Sequence, residues 1–367
     1  MSNKHFLLES IAGQRFVLPN LLDIFAGWPV ATHSALDELR TLVDQHLDNR
    51  YSTDILPPKT ARAFQKNDFG LFAATWWPLA SLERLCVVAA LFIWIYAWDD
   101  ELDSASGMLV DSAQNFLSET ASYVRRSLDD NVSLLEKPNN ALIERFDWIG
   151  VVLKRRYSIA QRHTLVKHMS HFIQQSLAEQ KMILSQDIPE LAAYWRMRLG
   201  TSAIDVTTAM LEYAYDIELP AMIAQSAELQ QLYLLTNEII SLTNDMISAK
   251  KEVVSCSSTT TSTSADPKCQ QNGTVHNALI ILFSMTGDAD LSVQLAMEWL
   301  KGMLVAFDVA AFRLLDSASG LTANEKASIE KIVQGCRYQC TGNVTWSLVT
   351  PRYGLEGDDA GNIVLQF

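Results

Sequence analysis

Apolar positions recur along the chain with a helical period over most of its length. The segment at 33–49 has one apolar face, and the same spacing of three and four residues continues through the longer segments that follow it. Strand-like alternation bounded by turn dipeptides is nearly absent. Further helices are predicted at 60–68, 78–102, 108–128, 139–156, 159–185, 189–215, 218–251, 274–287, 289–316 and 322–341. The pattern therefore predicts an all-α protein.

Two of these helices contain stretches that are apolar on every side, at 85–98 and 279–285. The first runs from Leu85 to Trp98 without a single charge. A helix of this kind must be surrounded by other helices or must line an apolar cavity. Because the run is shorter than the roughly 20 residues needed to cross a bilayer, no membrane span is predicted.

Composition narrows the class of protein. The chain has 367 residues, of which 49% are hydrophobic, and this is ample for a large buried core. A net charge of −13 argues against a nucleic-acid partner, because phosphate backbones select basic surfaces. Five cysteines, an odd number, fit a reducing compartment, and the N-terminus lacks a secretory signal. A cytoplasmic protein is expected.

No linker divides the chain into two folded units. Residues 60–353 are expected to form one helical domain, with residues 1–59 as an N-terminal segment that packs on it. The Ser/Thr-rich stretch at 255–273 has little to bury and is predicted to be a flexible loop between helices. Residues 354–367 are predicted to be a polar C-terminal tail.

An acidic block directly follows the apolar run. Asp99 and Asp103 lie one helical turn apart and share a face, whereas Asp100 and Glu101 are expected to point elsewhere. Two carboxylates at that spacing repel each other unless a cation lies between them. Mg²⁺ often binds through one or two carboxylates together with substrate phosphates. A solvated helix end explains the same block, so the motif by itself leaves both interpretations open.

A second polar stripe follows another apolar run. Asn244, Ser248 and Glu252 are spaced by four residues and lie on one side of a helix. They offer an amide oxygen, a hydroxyl and a carboxylate, which are hard ligands, and Lys251 beside them could meet an anion. The alternative is a polar helix face on which Ser248 bonds to its own backbone.

Arginine and aromatic side chains complete the candidate chemistry. Arg196 and Arg198 point to different sides of a helix, so that one of them can face inward and grip a phosphate with its planar fork. Near the C-terminus, Arg352 and Tyr353 are both donors to phosphate oxygen, and Trp346 offers a π face to a cation. That segment follows the last predicted helix and is expected to be a loop. Together these pieces indicate a site for a metal-bound diphosphate attached to an apolar chain.

The sequence resembles class I terpene synthases of the fungal and bacterial sesquiterpene-cyclase kind, over roughly residues 60–353. The string Asn-Asp-x-x-Ser-x-x-Lys-Glu at 244–252 matches the family's second metal motif without substitution, and it is more specific than the aspartate-rich motif at 99–103. The stretch at 69–85 and the His-Asn pair at 276–277 also resemble the family. The resemblance implies a single-domain bundle of helices around a central apolar cavity.

The resemblance also implies roles for individual residues. It implies three Mg²⁺ ions, with Mn²⁺ as a possible substitute. The implied metal ligands are Asp99, Asp103, Asn244, Ser248 and Glu252. The implied diphosphate donors are Arg198, Lys251, Arg352 and Tyr353, with Arg198 chosen over Arg196 because the family's sensing arginine lies about 46 residues before the motif asparagine. The implied aromatic wall that faces the carbocation consists of Phe72, Tyr96 and Trp346, with Trp94 as a weaker candidate.

The chain departs from the family's pattern at two places. Ala203 stands where the helix break after the sensing arginine usually has a glycine, although Gly200 is near. The Ser/Thr-rich stretch after Glu252 resembles an insertion, because relatives run quickly from the motif into His-Asn.

The function that the resemblance implies is cyclisation of farnesyl diphosphate to a sesquiterpene hydrocarbon or alcohol, by a monomer or a homodimer. A chain-elongating prenyl diphosphate synthase would need a second aspartate-rich motif where this chain has Asn244, Ser248 and Glu252. A non-catalytic prenyl-diphosphate-binding protein would be expected to have lost such ligands. The product skeleton depends on cavity contour, which residue spacing does not encode.

Overall fold

A computed structural model describes residues 3–51, 55–104, 110–132, 136–183, 187–254, 275–358 and 361–367, without the side chains of residues 103, 104, 110–112 and 254. The helices of the first half are α1 Asn3–Ile11, α2 Leu36–Arg50, α3 Pro58–Lys66, α4 Phe69–Trp76, α5 Leu82–Ser104, α6 Val110–Ser127, α7 Ala141–Glu144, α8 Phe146–Arg156 and α9 Ile159–Ile183. Those of the second half are α10 Leu191–Thr201, α11 Ile204–Ala209, α12 Leu211–Tyr215, α13 Ala221–Ala224, α14 Ala227–Val254, α15 Ala278–Thr286, α16 Ala289–Ser317 and α17 Ala323–Val349. A 3-10 helix spans Leu21–Phe25, and the strands are β1 Arg15–Leu18, β2 Glu356–Gly357 and β3 Ile363–Gln366.

The all-α prediction is confirmed. Helix α14 packs on α16 and α17, α17 runs against α4, and α4 packs on α5. The uncharged run of α5 is buried along almost its whole length, as expected of a helix without a polar face. Two indoles fix it to neighbouring elements: Trp94 Nε1 donates to the Leu142 carbonyl at 2.9 Å, and Trp98 Nε1 donates to Thr120 Oγ1 at 3.0 Å.

The contact between α4 and α17 depends on a glycine. A Cβ atom added at Gly342 would lie 2.6 Å from the carbonyl oxygen of Thr75, closer than any real Cβ contact. Only a residue without a side chain lets the two backbones approach to this distance. This close approach brings α17 alongside the helix that carries Phe72.

The chain termini differ from the sequence expectation. Helix α17 continues to Val349, so Trp346 lies within a helix and not in a C-terminal loop. The end of the predicted polar tail forms β3, which pairs antiparallel with β1 and buries Ile363 and Leu365. The alternation of a strand was too short to stand out in so small a segment. The last residues therefore close against the N-terminal segment.

The predicted loop at 255–273 lies outside the described residues. Within the part of the chain that the structure describes, no helix combines the length and the hydropathy that a bilayer crossing requires.

Candidate active site

A cavity of about 280 Å³ lies between α4, α5, α9, α10, α11, α14 and α17. Along α5 its lining changes from Phe92, Ile95 and Tyr96 to Asp99 and Asp100. Along α14 the lining changes in the same way, from an apolar residue to the polar motif. Phe92 and Asp99 lie seven residues apart, which is roughly 10 Å along the helix. The cavity therefore has an apolar part and a polar part.

Helix α14 presents its predicted stripe to the polar part of this cavity. Asn244, Ser248 and Glu252 all line it. Ser248 Oγ donates to Glu252 Oε1 at 2.6 Å, and Asn244 Nδ2 donates to the Tyr353 hydroxyl at 2.9 Å. The structure thus brings the three oxygen-bearing side chains to one surface, as their four-residue spacing requires.

Glu252 is held by Asn277, the residue directly before helix α15. The amide Nδ2 of Asn277 donates to Glu252 Oε2 at 2.9 Å and to the Asp245 carbonyl at 2.8 Å, while its Oδ1 caps the first turn of α15. Burial, and after it the negative charge of Asp245, raises the pKa of Glu252. A buried carboxylate in this position is one that a cation would stabilise.

The chemistry of the donor set fits a hard divalent cation. Asn244, Ser248 and Glu252 provide neutral and anionic oxygens, the ligand types that Mg²⁺ prefers. Among the described residues no three His, Cys, Asp or Glu side chains converge as a metal cluster. The candidate set instead mixes one carboxylate with an amide and a hydroxyl, and this leaves room for substrate oxygens and water.

The acidic end of α5 contributes two carboxylates and not one. Asp99 and Asp100 both line the cavity, whereas Glu101 is exposed. The expectation that Asp100 points elsewhere is therefore wrong. The side chain of Asp103 lies outside the described residues, so its predicted part in metal binding stays a prediction.

Of the two candidate arginines, the structure places Arg198 at the cavity and Arg196 on the exposed side of α10. Arg198 Nε donates to Asp245 Oδ1 at 2.8 Å, and Arg198 Nη2 donates to Asn244 Oδ1 at 2.9 Å. Burial opposes the charge of this guanidinium, but Asp245 and Tyr194 outweigh burial and raise its pKa. Arg198 is thus a fixed cation beside the motif asparagine.

Asp245 is the residue that sequence reasoning left without a role. It is 1% exposed. Besides Arg198, it accepts hydrogen bonds at Oδ2 from the Tyr194 hydroxyl at 2.6 Å and from the Ala278 backbone N–H at 2.9 Å. Its position inside the motif string was the signal available, but the spacing does not place it on the stripe of Asn244. The carboxylate joins α10, α14 and α15 behind the polar surface.

Two further cations border the polar part. Lys251 and Arg352 line it, and the carboxylates of Asp100 and Asp99 act on both. Burial, and after it the charge of Arg352, lowers the pKa of Lys251. The Arg352 guanidinium lies 4.8 Å from the centroid of the Tyr96 ring, a cation–π arrangement. Positive and negative side chains therefore face each other across the cavity.

The predicted aromatic wall is only partly exposed to the cavity. Phe72 and Tyr96 line it. Trp346 is buried behind them: its ring lies 5.2 Å from Phe72 and 6.2 Å from Tyr96, and its Nε1 donates to the Asn67 carbonyl at 2.8 Å. Trp94, tied to Leu142, is not among the lining residues that the structure describes.

The break between α10 and α11 falls at the cavity wall. Ala203 adopts a left-handed conformation with φ 58°, which is costly for any residue with a Cβ. Asn237 holds the turn, since its Nδ2 donates to the Leu199 carbonyl at 2.9 Å and to Asp205 Oδ1 at 3.0 Å. Gly200 does not relieve the break. Its absent side chain instead makes room for Gln175 of α9.

Comparisons with known proteins place this chain in a family. Residues 90–306 match the profile of terpene synthase family 2, C-terminal metal binding. The sesquiterpene cyclase hepA of Aspergillus oryzae is 29% identical over 95% of this chain and 92% of its own length. The 10-epi-cubebol synthase of Sorangium cellulosum is 24% identical, with 82% of this chain and 88% of its own length covered.

Solved structures agree on the fold. The a-eudesmol synthase structure superposes with a TM-score of 0.72 at 15% identity, covering 88% of this chain and 98% of that protein. The germacradien-4-ol synthase from Streptomyces citricolor superposes with a TM-score of 0.71 at 15% identity, covering 88% and 96%. The profile match spans more than half of the chain and includes both motifs, at 99–103 and 244–252. The chain belongs to terpene synthase family 2.

Proposed function

We propose that the protein is a Mg²⁺-dependent sesquiterpene synthase that ionises farnesyl diphosphate, cyclises the farnesyl chain to a hydrocarbon or an alcohol, and releases diphosphate. The observation that carries this proposal is the composition of one cavity. Its polar part combines oxygen ligands with cationic donors, and its apolar part is lined by aromatic and aliphatic side chains. Such a cavity suits a molecule with a charged head and a hydrocarbon chain.

The metal ions have a donor set in this chain. Asn244, Ser248 and Glu252 would hold one ion, and Asp99, with Asp103, would hold two more. Mn²⁺ would be accepted in place of Mg²⁺, because it also favours carboxylate and carbonyl oxygens. When bound, these ions neutralise the charge of the diphosphate and make it a better leaving group.

The first chemical step is cleavage of the bond between C1 of the farnesyl group and the diphosphate oxygen. The electron pair stays with the diphosphate, and an allylic carbocation is left in the apolar part. Arg198, Lys251, Arg352 and Tyr353 donate to the diphosphate oxygens as their charge grows. Donors fixed before the reaction need no reorganisation during it, and Arg198 is fixed by Asp245 and Asn244.

The carbocation is stabilised by the aromatic wall. Phe72 and Tyr96 present π electrons to the cavity, and such faces attract cations. Trp346 packs directly behind both rings and keeps them in place. The reaction ends with loss of a proton or capture of water, and exclusion of water until then prevents early quenching.

Incubation with prenyl diphosphates tests the function. Purified protein with Mg²⁺ is supplied with geranyl, farnesyl or geranylgeranyl diphosphate, and products are analysed by gas chromatography with mass spectrometry. We expect C15 hydrocarbons or alcohols from farnesyl diphosphate, and loss of product when a chelator removes the metal. A longer diphosphate, formed when isopentenyl diphosphate is added, would support chain elongation instead. Unchanged substrate in every reaction would support a binding protein.

The two arginines of α10 provide a matched pair of variants. Arg198→Lys keeps a positive charge but loses the fork that bonds Asn244 and Asp245 together, so we expect turnover to fall by about 100-fold. Arg196→Lys changes the same residue type on the exposed face and should leave turnover within about twofold. Steady-state kinetics with farnesyl diphosphate measures both. Equal losses in the two variants would remove Arg198 from the diphosphate site.

A further inference from the structure

Helix α16 carries an exposed apolar stripe on the side away from the bundle. The stripe consists of Leu291, Leu295, Gly302, Val305, Val309 and Phe312. Val305 is 67% exposed and Phe312 is 70% exposed, although both are large and apolar. No residue of α16 is among the described residues that line the cavity. The stripe is therefore separate from the candidate active site.

The spacing of the stripe is that of a coiled-coil seam. Leu291, Val305 and Phe312 fall at multiples of seven residues, with Glu298 between the first two. Leu295, Gly302 and Val309 form a second series of sevens, offset by four. Two such series are the d and a positions of a heptad repeat, which faces a partner helix with a period of 3.5 residues. A helix that packs only on its own bundle has no need for this repeat on its outer side.

Gly302 stands at the centre of the stripe. A Cβ atom added there would meet nothing within 4 Å, so the fold of the chain itself does not require a glycine. Glycine within a helix costs about 0.5–1 kcal/mol relative to alanine. A small residue at a helix contact, however, lets a second helix approach closely.

We propose that this stripe is a homodimer interface, in which α16 pairs antiparallel with α16 of a second copy. With the twofold axis between Gly302 and Val305, Leu295 faces the partner subunit's Phe312, and Gly302 faces the partner subunit's Val305. An isologous contact uses one surface twice, so the stripe must be complementary to itself. Each of these contacts occurs twice, once on either side of the axis, which satisfies this requirement.

Packing at the centre of the stripe supports the antiparallel orientation. In a parallel pair of helices each a position faces its own copy, and each d position does the same. Gly302 would then face the partner subunit's Gly302 and leave a gap, while Phe312 would face the partner subunit's Phe312. The antiparallel pair instead fills the space at each glycine with a valine.

Charge at the centre of the seam agrees with this orientation. Lys301 and Asp308 occupy the positions directly before Gly302 and Val309. In an antiparallel pair Lys301 of each copy lies opposite the partner subunit's Asp308. Both side chains are about half exposed: Lys301 bonds Glu298 at 2.7 Å, and Asp308 bonds Arg337 at 2.9 Å. Flanking charges of opposite sign help to select partner and orientation in coiled coils.

The size of the contact sets its strength. The stripe extends for about 32 Å along the helix, because Leu291 and Phe312 are separated by 21 helical steps of about 1.5 Å each. A single helix seam of this length buries roughly 800 Å² in total, which is in the range of weak interfaces. We therefore expect a dimer that dissociates at micromolar concentrations.

Sedimentation velocity between about 1 and 100 µM tests the interface. Wild type should shift with concentration from the 41.0 kDa chain towards twice that mass. Val305→Glu/Phe312→Glu should stay monomeric with unchanged turnover, whereas Val30→Glu/Met222→Glu, at exposed apolar sites elsewhere, should dimerise like wild type. Circular dichroism melts show whether each variant is folded. A monomeric wild type at every concentration, or a dimer that survives the stripe variant, would overturn the proposal.

Cross-linking tests the orientation. Leu295→Cys and Phe312→Cys variants are mixed and oxidised, with wild type as the background control. Antiparallel pairing should give the mixed disulfide between the two variants, whereas a disulfide between two copies of Leu295→Cys would contradict it. Co-sedimentation with phosphatidylcholine vesicles separates a membrane-binding stripe from a dimer interface. Vesicle binding that is lost in the stripe variant, by a protein that stays monomeric, would overturn the proposal.

Discussion

Glu252→Gln should abolish terpene formation, with turnover reduced by more than about 1000-fold. Glutamine has almost the same shape and keeps partners for Ser248 and Asn277, but it removes the only carboxylate of the α14 ligand set. Loss of that charge weakens the hold on a divalent cation, and with the cation the diphosphate loses part of its charge neutralisation. Steady-state product formation from farnesyl diphosphate at saturating Mg²⁺ measures the effect.

The matched control for this variant is on the same helix. Glu228→Gln changes a carboxylate in the first turn of α14, which does not line the cavity, and it should keep wild-type turnover. Mn²⁺ titration followed by electron paramagnetic resonance gives a second readout in the presence of diphosphate. Wild-type activity or wild-type Mn²⁺ binding in Glu252→Gln would remove Glu252 from the metal site. Asp99→Asn should give a comparable loss of turnover from the other side of the cavity.

Asp245→Ala should destabilise the fold by about 3–5 kcal/mol as well as reduce turnover. The substitution removes three hydrogen bonds at once and leaves the buried Arg198 guanidinium without its direct ion-pair partner. It also frees Arg198 from the position that holds it against Asn244. Urea unfolding, followed by circular dichroism, measures the free energy of unfolding, and the kinetic assay measures turnover.

A double variant separates this mechanism from a general loss of packing. In Asp245→Ala/Arg198→Met the buried charge is removed together with its partner. The loss in the free energy of unfolding should therefore be smaller than the sum of the losses in the two single variants. Asp37→Ala, at a side chain that is 97% exposed, should change the free energy of unfolding by less than about 0.5 kcal/mol. Additive costs in the double variant would show that Asp245 and Arg198 stabilise the fold independently.

Local periodicity determined much of the fold and part of the site. The uncharged run of α5 could only be a buried helix, and the four-residue spacing of Asn244, Ser248 and Glu252 could only place them on one side of a helix. These conclusions need no tertiary information, because helix geometry relates sequence spacing directly to direction in space. The family resemblance, carried by the string at 244–252, rests on the same local feature.

Other features depended on contacts between segments distant in sequence. Spacing showed that Arg196 and Arg198 point apart, but only the packing of α10 against α14 showed which of them meets Asp245. Trp346 had the right residue type for a cation wall, yet the close approach of α17 to α4 placed it behind Phe72. Asp100 was assigned to another face because it lies about 100° around the helix from Asp99. The cavity is wide enough to reach both side chains, and its width is not encoded in the spacing of residues along one helix.

The sequence by itself therefore determined the helices, the apolar interior and the line of oxygen ligands, because each follows from the direction of side chains within one element. Only the tertiary structure decided the partners of those side chains. It joined Asp245 to Arg198, Asn277 to Glu252, and the C-terminal strand to β1, since these contacts arise from the packing of separate elements. It also showed that the heptad positions of α16 face outward, because burial depends on which neighbours a helix face meets.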